Sequence, residues 1–431
     1  MTPDPDWIEA QRRNAAAMMR AATSATHLER HRPGFGWRVT PAPGSILASP
    51  RFTAWDPEPD YFHHWIRDAA IVLGAVPLAI RADPSSAGFW QQAVSDHIAF
   101  SWSVSDPDVC PISGNPLRPT TRPDHLDYLR PDAELAALTG ARRLEEPRVA
   151  ADGLPDLERW SRPQDDGPAL RAVALMHLQV AMPEARSALA DRLINLDLAQ
   201  VLRTAGRPAI GPWEEEPARR TTFTLIAQWD ALSRAADRAT RRDEPAGPWQ
   251  EAANHIAGLM EDAADPSGGW RESIEAPPGV LDSATILALL HARRTDGPFA
   301  LTAARTRATV AGLEAIFAEL YPINRDRDVP AIGRWRDDVY FGGHPWVPNT
   351  LGFAELHYRI AALTGDTDAF ARADDWMHLI QQIAPDPAQP LPEQFDRTDG
   401  APASCLALTW SAAAFLGAAA ARDEALQAPA R

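Results

Sequence analysis

Apolar side chains recur every three or four residues in about twelve segments of this 431-residue chain. That spacing places them on one face of an α-helix, and the alternation typical of strands is scarce. Several segments begin with residues that favour helix starts, such as Asp282-Ser283. The pattern predicts helices over residues 5–25, 68–83, 88–106, 167–182, 187–205, 222–243, 246–264, 282–296, 302–322, 350–365, 367–384 and 404–424.

The connections between these helices alternate in length. Short ones follow the even-numbered helices, whereas long ones follow the odd-numbered helices, at roughly 26–67, 107–166, 206–221, 265–281, 323–349 and 385–403. Loops longer than about 12–15 residues are uncommon unless they are functional. The alternation predicts six helical hairpins in a ring, an all-α (α/α)6 toroid with the active site at the long-loop end. No linker divides the chain, so residues 1–431 are expected to form a single catalytic domain.

Composition narrows the classes of partner. Hydrophobic content of 45% and charged content of 23% are typical of soluble globular proteins. A net charge of −16 makes nucleic acid and anionic membranes poor partners. The N-terminus has no apolar signal core, and no run reaches the roughly 18 apolar residues of a membrane span. We therefore expect a cytoplasmic protein, either a monomer or a small homo-oligomer.

Some chemistries are excluded by residue usage. All 42 basic residues are arginine, so neither a lysine Schiff base nor a phosphate-loop lysine can form. Cys110 and Cys405 belong to no Cys-x-x-Cys pair, and we expect two buried free thiols, with a lone disulfide as the alternative. The histidines show no metal-binding spacing, so no metal or other cofactor is expected.

Two glutamates on different long connections are the candidate catalytic groups. Glu214 stands in Trp213-Glu214-Glu215-Glu216, and Glu393 in Pro392-Glu393-Gln394. Inverting glycoside hydrolysis needs one carboxyl as a proton donor and a second as a base for water. The alternative for the first segment is a solvated acidic turn favoured by a helix dipole. Seen alone, the second segment is unremarkable.

Two further connections carry candidate sugar-binding residues, and a third is expected to support the scaffold. Arg67 and Asp68, which end the first long connection, can bind vicinal hydroxyls; alternatively, Asp68 caps a helix and Arg67 is a surface charge. In the second connection, Asp166 is expected to cap a helix. The fifth connection is rich in arginine, glycine and aromatic residues, which suits a sugar clamp. Its alternative is an ordinary packed loop.

Five of these segments resemble, in order, the motifs of glycoside hydrolase family 15, the glucoamylase family. They are Tyr61-Phe62-His63-His64-Trp65-Ile66-Arg67-Asp68, Arg162-Pro163-Gln164-Asp165-Asp166-Gly167-Pro168-Ala169-Leu170-Arg171-Ala172, Trp213-Glu214-Glu215, Gly333-Arg334 through Pro345-Trp346, and Glu393-Gln394-Phe395-Asp396. The second motif is quite specific, whereas Trp-Glu-Glu alone is weak. Their ordered co-occurrence across roughly residues 60–410 carries the resemblance.

The resemblance implies an (α/α)6 barrel and exo-acting, anomer-inverting hydrolysis of α-glucosides without a cofactor. By position, Glu214 would be the general acid and Glu393 the general base. The residues implied to bind glucose or to line its pocket are Tyr61, Trp65, Arg67, Asp68, Trp213, Glu215, Arg334 and Trp335. The expected substrates are short α-1,6- or α-1,4-gluco-oligosaccharides of the isomaltose or maltose type, because neither a starch-binding module nor an export signal is seen.

The chain also departs from the family pattern. Gly211-Pro212 replaces the frequent Asp-Leu before the acid motif, His344 replaces an asparagine, and prolines replace the serine- and glycine-rich approach to Glu393. These changes put the linkage preference in doubt. A trehalase-like hydrolase, an α-glucoside phosphorylase and a non-catalytic sugar-binding toroid remain as alternatives.

Overall fold

The computed structural model describes residues 2–53 and 58–428, which form thirteen α-helices. They are α1 (Pro5–Ala22), α2 (Ile66–Ala82), α3 (Ala87–Ser105), α4 (Asp132–Ala136), α5 (Asp166–Ala181), α6 (Ala188–Thr204), α7 (Thr222–Arg241), α8 (Gly247–Asp262), α9 (Ala284–Ala292), α10 (Ala304–Leu320), α11 (Val347–Thr364), α12 (Thr367–Ile383) and α13 (Thr409–Gln427). The twelve predicted helices are confirmed in order. The five-residue α4 is an addition within the second long connection.

The largest differences from the predicted bounds occur at α9 and α13. Helix α9 ends early because Arg293 adopts a left-handed conformation, with a φ of 52°. Helix α13 was predicted to begin at residue 404 but begins at Thr409. The backbone N–H of Glu393 donates to the Cys405 carbonyl at 2.7 Å, and Ser404 has a φ of 58°. The residues from 404 to 408 therefore form a loop that contacts the preceding connection, which carries Glu393.

The long helices form two concentric rings. Six of them pack successively around the barrel axis, and the last contacts the first, which closes the ring: α2, α5, α7, α9, α11 and α13. The others (α1, α3, α6, α8, α10 and α12) pack outside them, with α1 bridging α13 and α2. The predicted (α/α)6 toroid is confirmed. Because each inner helix follows a long connection, all six inner N-termini point toward the long-connection end.

Sequence pattern explains which helices lie inside. In α9 every residue except His291 is buried, as expected for a helix surrounded by protein. In α6 the buried apolar residues are Ala190, Leu193, Ile194, Leu198 and Val201, the narrow stripe of a helix with one face in solvent.

Three short antiparallel pairs of strands organise the long-connection end. They are β1 (Arg30–Arg32) with β2 (Trp37–Val39), β3 (His63–Trp65) with β4 (Arg148–Ala150), and β5 (Gln394–Phe395) with β6 (Pro402–Ala403). The β3–β4 register places Trp65 opposite Arg148. The Arg148 guanidinium lies 4.9 Å from the Trp65 ring and 3.6 Å from the Trp160 ring. This pair of strands thus fixes two indoles beside the start of α2.

Both cysteines are free thiols. Cys405 is buried as expected, whereas Cys110 is exposed, so the expected burial of Cys110 is wrong. It lies in the connection that follows α3, where the chain leaves the packed rings. Within residues 2–53 and 58–428, no helix has the length and apolar character to cross a membrane.

Candidate active site

A cavity of about 600 Å³ opens at the long-connection end of the barrel. Five of the six long connections contribute to its wall, as do the first turns of α2 and α13. Both candidate glutamates line it, which confirms the predicted convergence of their loops. So do seven of the eight predicted sugar-binding residues: Tyr61, Trp65, Arg67, Asp68, Trp213, Glu215 and Arg334.

Trp335 is the exception, because it is not among the residues that line the cavity. Its ring lies 4.3 Å from the Arg334 guanidinium and supports that side chain instead. Two other aromatic residues of the same connection, Tyr340 and Trp346, face the cavity in its place. The role of Trp335 in binding sugar stays a prediction.

The Glu214 carboxylate is held by four donors. Its Oε1 accepts from Trp65 Nε1 at 2.8 Å, Gln164 Nε2 at 3.1 Å and Arg67 Nη2 at 3.4 Å. Among the residues that the structure describes, its Oε2 accepts only from Trp160 Nε1, at 2.7 Å. A carboxyl oxygen has two lone-pair positions, so Oε2 can hold a proton while it still accepts from Trp160.

The backbone of Glu214 is strained to reach this position. Its φ of 63° lies in the left-handed region, which costs a non-glycine residue about 1–2 kcal/mol. Ser161 Oγ donates to the Glu214 carbonyl at 2.7 Å and helps to hold the strained backbone. Strain of this kind clusters at functional sites. A simple solvated acidic turn would show neither the strain nor the four side-chain donors.

Glu393 occupies a drier environment, with 2% of its surface exposed. Burial raises the pKa of Glu393 to about 7, although hydrogen bonds from Ser404 and Tyr61 oppose this rise. Ser404 Oγ donates to Oε2, and Tyr61 Oη donates to Oε1 at 3.0 Å. Since each hydroxyl has one proton, the 2.6 Å contact between the Tyr61 and Tyr340 hydroxyls has Tyr340 as its donor.

Arg67 and Asp68 both lie in the first turn of α2 and are buried. The alternative in which Asp68 caps the helix is wrong, because Trp65 occupies the cap position. Arg67 Nη1 binds Asp166 at 2.8 Å and Gln164 at 3.0 Å. Arg67 is therefore no surface charge, and Asp166 serves as its partner rather than as the expected helix cap. Burial raises the pKa of Asp68 to about 6.

Arg334 also lines the cavity. Its guanidinium binds Asp338 through two nitrogens and Glu215 Oε1 at 3.1 Å. Trp213 lies 5.4 Å from the same guanidinium and donates to Asp282 Oδ2 at 2.7 Å. The residue before Glu214 is thus anchored to the α8–α9 connection, the one long connection that contributes no side chain to the cavity wall.

Sequence reasoning missed several residues of this site. Tyr340 stands within a segment singled out for its motif and Trp160 lies two residues before another, so their aromatic character was a usable signal. Ser404 was hidden because residues 404–424 were predicted as helix. Trp410 lines the cavity from the first turn of α13, and nothing in its local sequence distinguishes it from a core residue. In the described part of the chain, no cluster of histidine, cysteine or acidic residues is arranged to hold a metal ion.

Comparison with known families identifies this arrangement. The model of glycosyl hydrolases family 15 matches residues 141–420, more than half of the chain. This chain belongs to glycosyl hydrolases family 15. The matched range contains both candidate glutamates and Arg334, whereas the motif that ends in Arg67 and Asp68 precedes it.

Relatives of this family 15 chain extend over most of its length. It is 26% identical to Glucoamylase-1 of Arthroderma benhamiae over 90% of this chain, but it spans only 66% of that relative. The glucoamylase structure of Hormoconis resinae has a TM-score of 0.76 at 23% identity, with 97% of this chain and 74% of the other covered. The glucoamylase structure of Saccharomycopsis fibuligera has a TM-score of 0.75 at 20% identity, with 99% and 98% covered. At these identities, the two solved structures establish the shared fold.

Proposed function

We propose that this protein is an inverting, exo-acting α-glucoside hydrolase. It releases β-glucose from the non-reducing end of short α-1,6- or α-1,4-gluco-oligosaccharides of the isomaltose or maltose type. One observation carries the proposal: Glu214 and Glu393, from connections far apart in sequence, line a single cavity in different environments. Family membership and the glucoamylase relatives support the same reaction class.

In this mechanism Glu214 is the general acid. Its Oε1 is engaged by three donors, so the proton resides on Oε2 and passes to the glycosidic oxygen as the bond breaks. The Trp160 indole keeps Oε2 oriented before and after the transfer. Arg67 then stabilises the negative charge left on the carboxylate.

Glu393 is the general base. It removes a proton from water as that water attacks the opposite face of the sugar, which inverts the anomeric configuration. Ser404 and Tyr61 each donate to one of its oxygens and hold the carboxylate plane fixed. The remaining lone pairs are free to accept the proton.

The glucose unit is held by Arg67, Asp68 and Arg334, which combine donors and acceptors in the cavity wall. Aromatic rings around them cover the apolar faces of the sugar. A volume of about 600 Å³ is within the range of small-molecule sites, about 300–1,000 Å³. One buried apolar cluster contains residues from all twelve long helices, which supports the proposal that the rings act as one catalytic domain.

The test is a panel of α-linked glucose disaccharides, trehalose included, with the product anomer followed by NMR immediately after mixing. We expect the glucose from the non-reducing end to appear first as the β-anomer, whereas the departing unit keeps the anomeric configuration it already had, and Glu214→Gln and Glu393→Gln should each lower kcat by at least about 100-fold. Initial α-glucose in excess of that contributed by the departing unit would reject inversion. Phosphate-dependent release of glucose 1-phosphate would identify a phosphorylase. Near-normal turnover of either variant would reject that residue's role.

A further inference from the structure

A cavity of about 510 Å³ lies beside the outer helix α3. Its walls come from α3, from the connection that follows α3, from Ala42 and Pro43, from Arg143, and from residues 152–155 after β4. Of the residues that the structure describes, none lines both this cavity and the catalytic one. The free thiol of Cys110 is exposed and belongs to the wall, so we call this feature the thiol cavity.

Apolar side chains cover much of the thiol cavity. They include Phe100 of α3, Val109 and Ile112 of the connection after α3, and Leu154 of the segment after β4. Val109 and Leu154 are 41% and 40% exposed, so two large apolar side chains meet solvent at this cavity. Small-molecule sites are lined mainly by apolar side chains with a few polar groups placed among them. The wall therefore suits a ligand with an apolar body.

One cation in this wall lacks an acidic partner among the described residues. Arg143 is only 8% exposed and lines the cavity. Its Nε has no hydrogen-bond partner, and within residues 2–53 and 58–428 no acceptor binds the rest of its guanidinium. A buried charge is costly unless it is paired. An anionic group in the cavity would provide the missing partner.

The carboxylates that act on Arg143 are engaged elsewhere. Burial lowers the pKa of Arg143, and Glu146 and Asp106 oppose this change without forming an ion pair with it. Both oxygens of Glu146 accept from Arg130 at 2.8 Å, and Asp106 Oδ1 accepts from the backbone N–H of Asp108 at 3.0 Å. A ligand carboxylate could instead bind the Arg143 guanidinium through two parallel hydrogen bonds.

Two further acids limit the charge of the ligand. Asp96 and Asp152 also line the thiol cavity. Asp96 Oδ1 accepts from Gln92 Nε2 at 2.8 Å, and Asp152 Oδ1 accepts from the backbone N–H of Leu154 at 3.1 Å. Their negative charges disfavour a ligand with several anionic groups. The cavity therefore favours a single carboxylate on an apolar body.

We propose that Cys110 is a modification site, which forms a mixed disulfide with a low-molecular-weight disulfide whose halves each carry a carboxylate. Arg143 binds the carboxylate of the attached half, and the apolar wall packs against the rest of it. The observation that carries the proposal is that an exposed thiol and an unpaired, buried guanidinium line the same cavity. The proposal does not depend on the hydrolytic reaction.

The modification is an exchange that needs no further oxidant. The Cys110 thiol loses its proton to solvent, and the thiolate attacks one sulfur of the incoming disulfide. A new sulfur–sulfur bond forms to Cys110 as the old one breaks, and the other half departs as a thiolate. Cys110 is thereby oxidised and the departing half is reduced. An added thiol such as dithiothreitol should reverse the reaction.

The test compares the rates at which Cys110 reacts with two aromatic disulfides. Dithiobis(nitrobenzoate) carries a carboxylate on each ring, whereas dithiodipyridine carries none, and the absorbance of the released thiol follows both reactions. Peptide mass mapping should find one adduct, on Cys110, and Cys110→Ser should not form it because Cys405 is buried. Arg143→Met should lower the ratio of the carboxylated to the neutral rate constant at least about 10-fold, the size of one hydrogen bond to a charged group. Arg142→Met is the matched control, because Arg142 is exposed, carries the same charge and does not line the cavity.

An unchanged ratio in Arg143→Met would overturn the inference, as would an equal loss in Arg142→Met. A second measurement uses the wild type, so it does not depend on whether Arg143→Met folds. Benzoate should slow the reaction of Cys110 with dithiodipyridine, whereas benzamide, its neutral analogue, should not at the same concentration. Equal protection by the two compounds would reject the carboxylate site.

Discussion

Removing the Ser404 hydroxyl should move the acidic limb of the pH–activity profile to higher pH. Ser404 Oγ donates to Glu393 Oε2, and this bond lowers a pKa that burial has raised to about 7. The base acts only when it is ionised. A higher pKa in the free enzyme therefore requires a higher pH before kcat/KM reaches its plateau.

The magnitude follows from the strength of the lost bond. A hydrogen bond to a charged group contributes about 1.5–3 kcal/mol, and 1.36 kcal/mol corresponds to one pKa unit. The pKa of Glu393 should therefore rise by about 1–2 units in Ser404→Ala. At pH 7, where half of the wild-type base is ionised, kcat/KM should fall about 5- to 50-fold.

The assay is kcat/KM for one disaccharide from pH 5 to 9. Ser404 has a φ of 58°, so Ser404→Gly is a second variant that removes the hydroxyl and also relieves the backbone strain. Ser411→Ala is the matched control, because that buried hydroxyl donates to the Pro392 carbonyl rather than to the carboxylate. If both Ser404 variants keep the wild-type limb, or move it to lower pH, then Glu393 is not the titrating base.

Two further predictions concern stability. Because the pKa of Glu393 is raised from its ordinary 4.5 to about 7, its ionisation opposes folding as pH rises through that interval. Glu393→Gln should therefore raise the free energy of unfolding at pH 8 by up to about 3 kcal/mol, seen as a higher thermal midpoint, and should have little effect at pH 4. An equal gain at both pH values would contradict this account. Arg171 and Asp197 form a fully buried ion pair, with Nη2 and Oδ1 2.6 Å apart, so Arg171→Met should cost about 3–5 kcal/mol in denaturant unfolding. Arg171→Met combined with Asp197→Leu should recover most of that loss, and a double variant as unstable as the single one would show that the pair itself is stabilising.

The helices were predictable because each carries its own periodic signal. Inner helices such as α9 and outer helices such as α6 differ visibly in their apolar pattern. The alternation of short and long connections was enough to predict the ring. The end of α9 was not predictable, because it depends on a left-handed Arg293, a conformation that no sequence pattern signals. The start of α13 was missed because Ala-rich sequence continues through a segment that tertiary contacts with Glu393 hold as a loop.

In the site, too, residues with a local sequence signal were predicted, whereas residues placed by tertiary contacts were missed. Residues in contiguous motifs, such as Arg67 and Asp68, could be assigned from the chain alone. The position of Trp335 outside the cavity lining could not be predicted, because adjacency to Arg334 does not determine which side of the guanidinium a ring occupies. Ser404 and Trp410 enter the site from residues that follow the last motif, and only the closed ring brings them beside it.

The raised pKa of Glu393 suits a general base better than it suits a second proton donor. A base is most effective when its pKa lies near the working pH, because a weaker base draws the proton from water less strongly. Burial raises the pKa of this carboxyl to about 7, and its side-chain donors in the described part of the chain are the neutral hydroxyls of Ser404 and Tyr61, so its basicity is retained. Glu214 instead has the charged Arg67 beside it, which can stabilise the anion that proton donation leaves behind. The two environments therefore suit opposite proton movements, and the acidic limb of activity should lie near neutral pH.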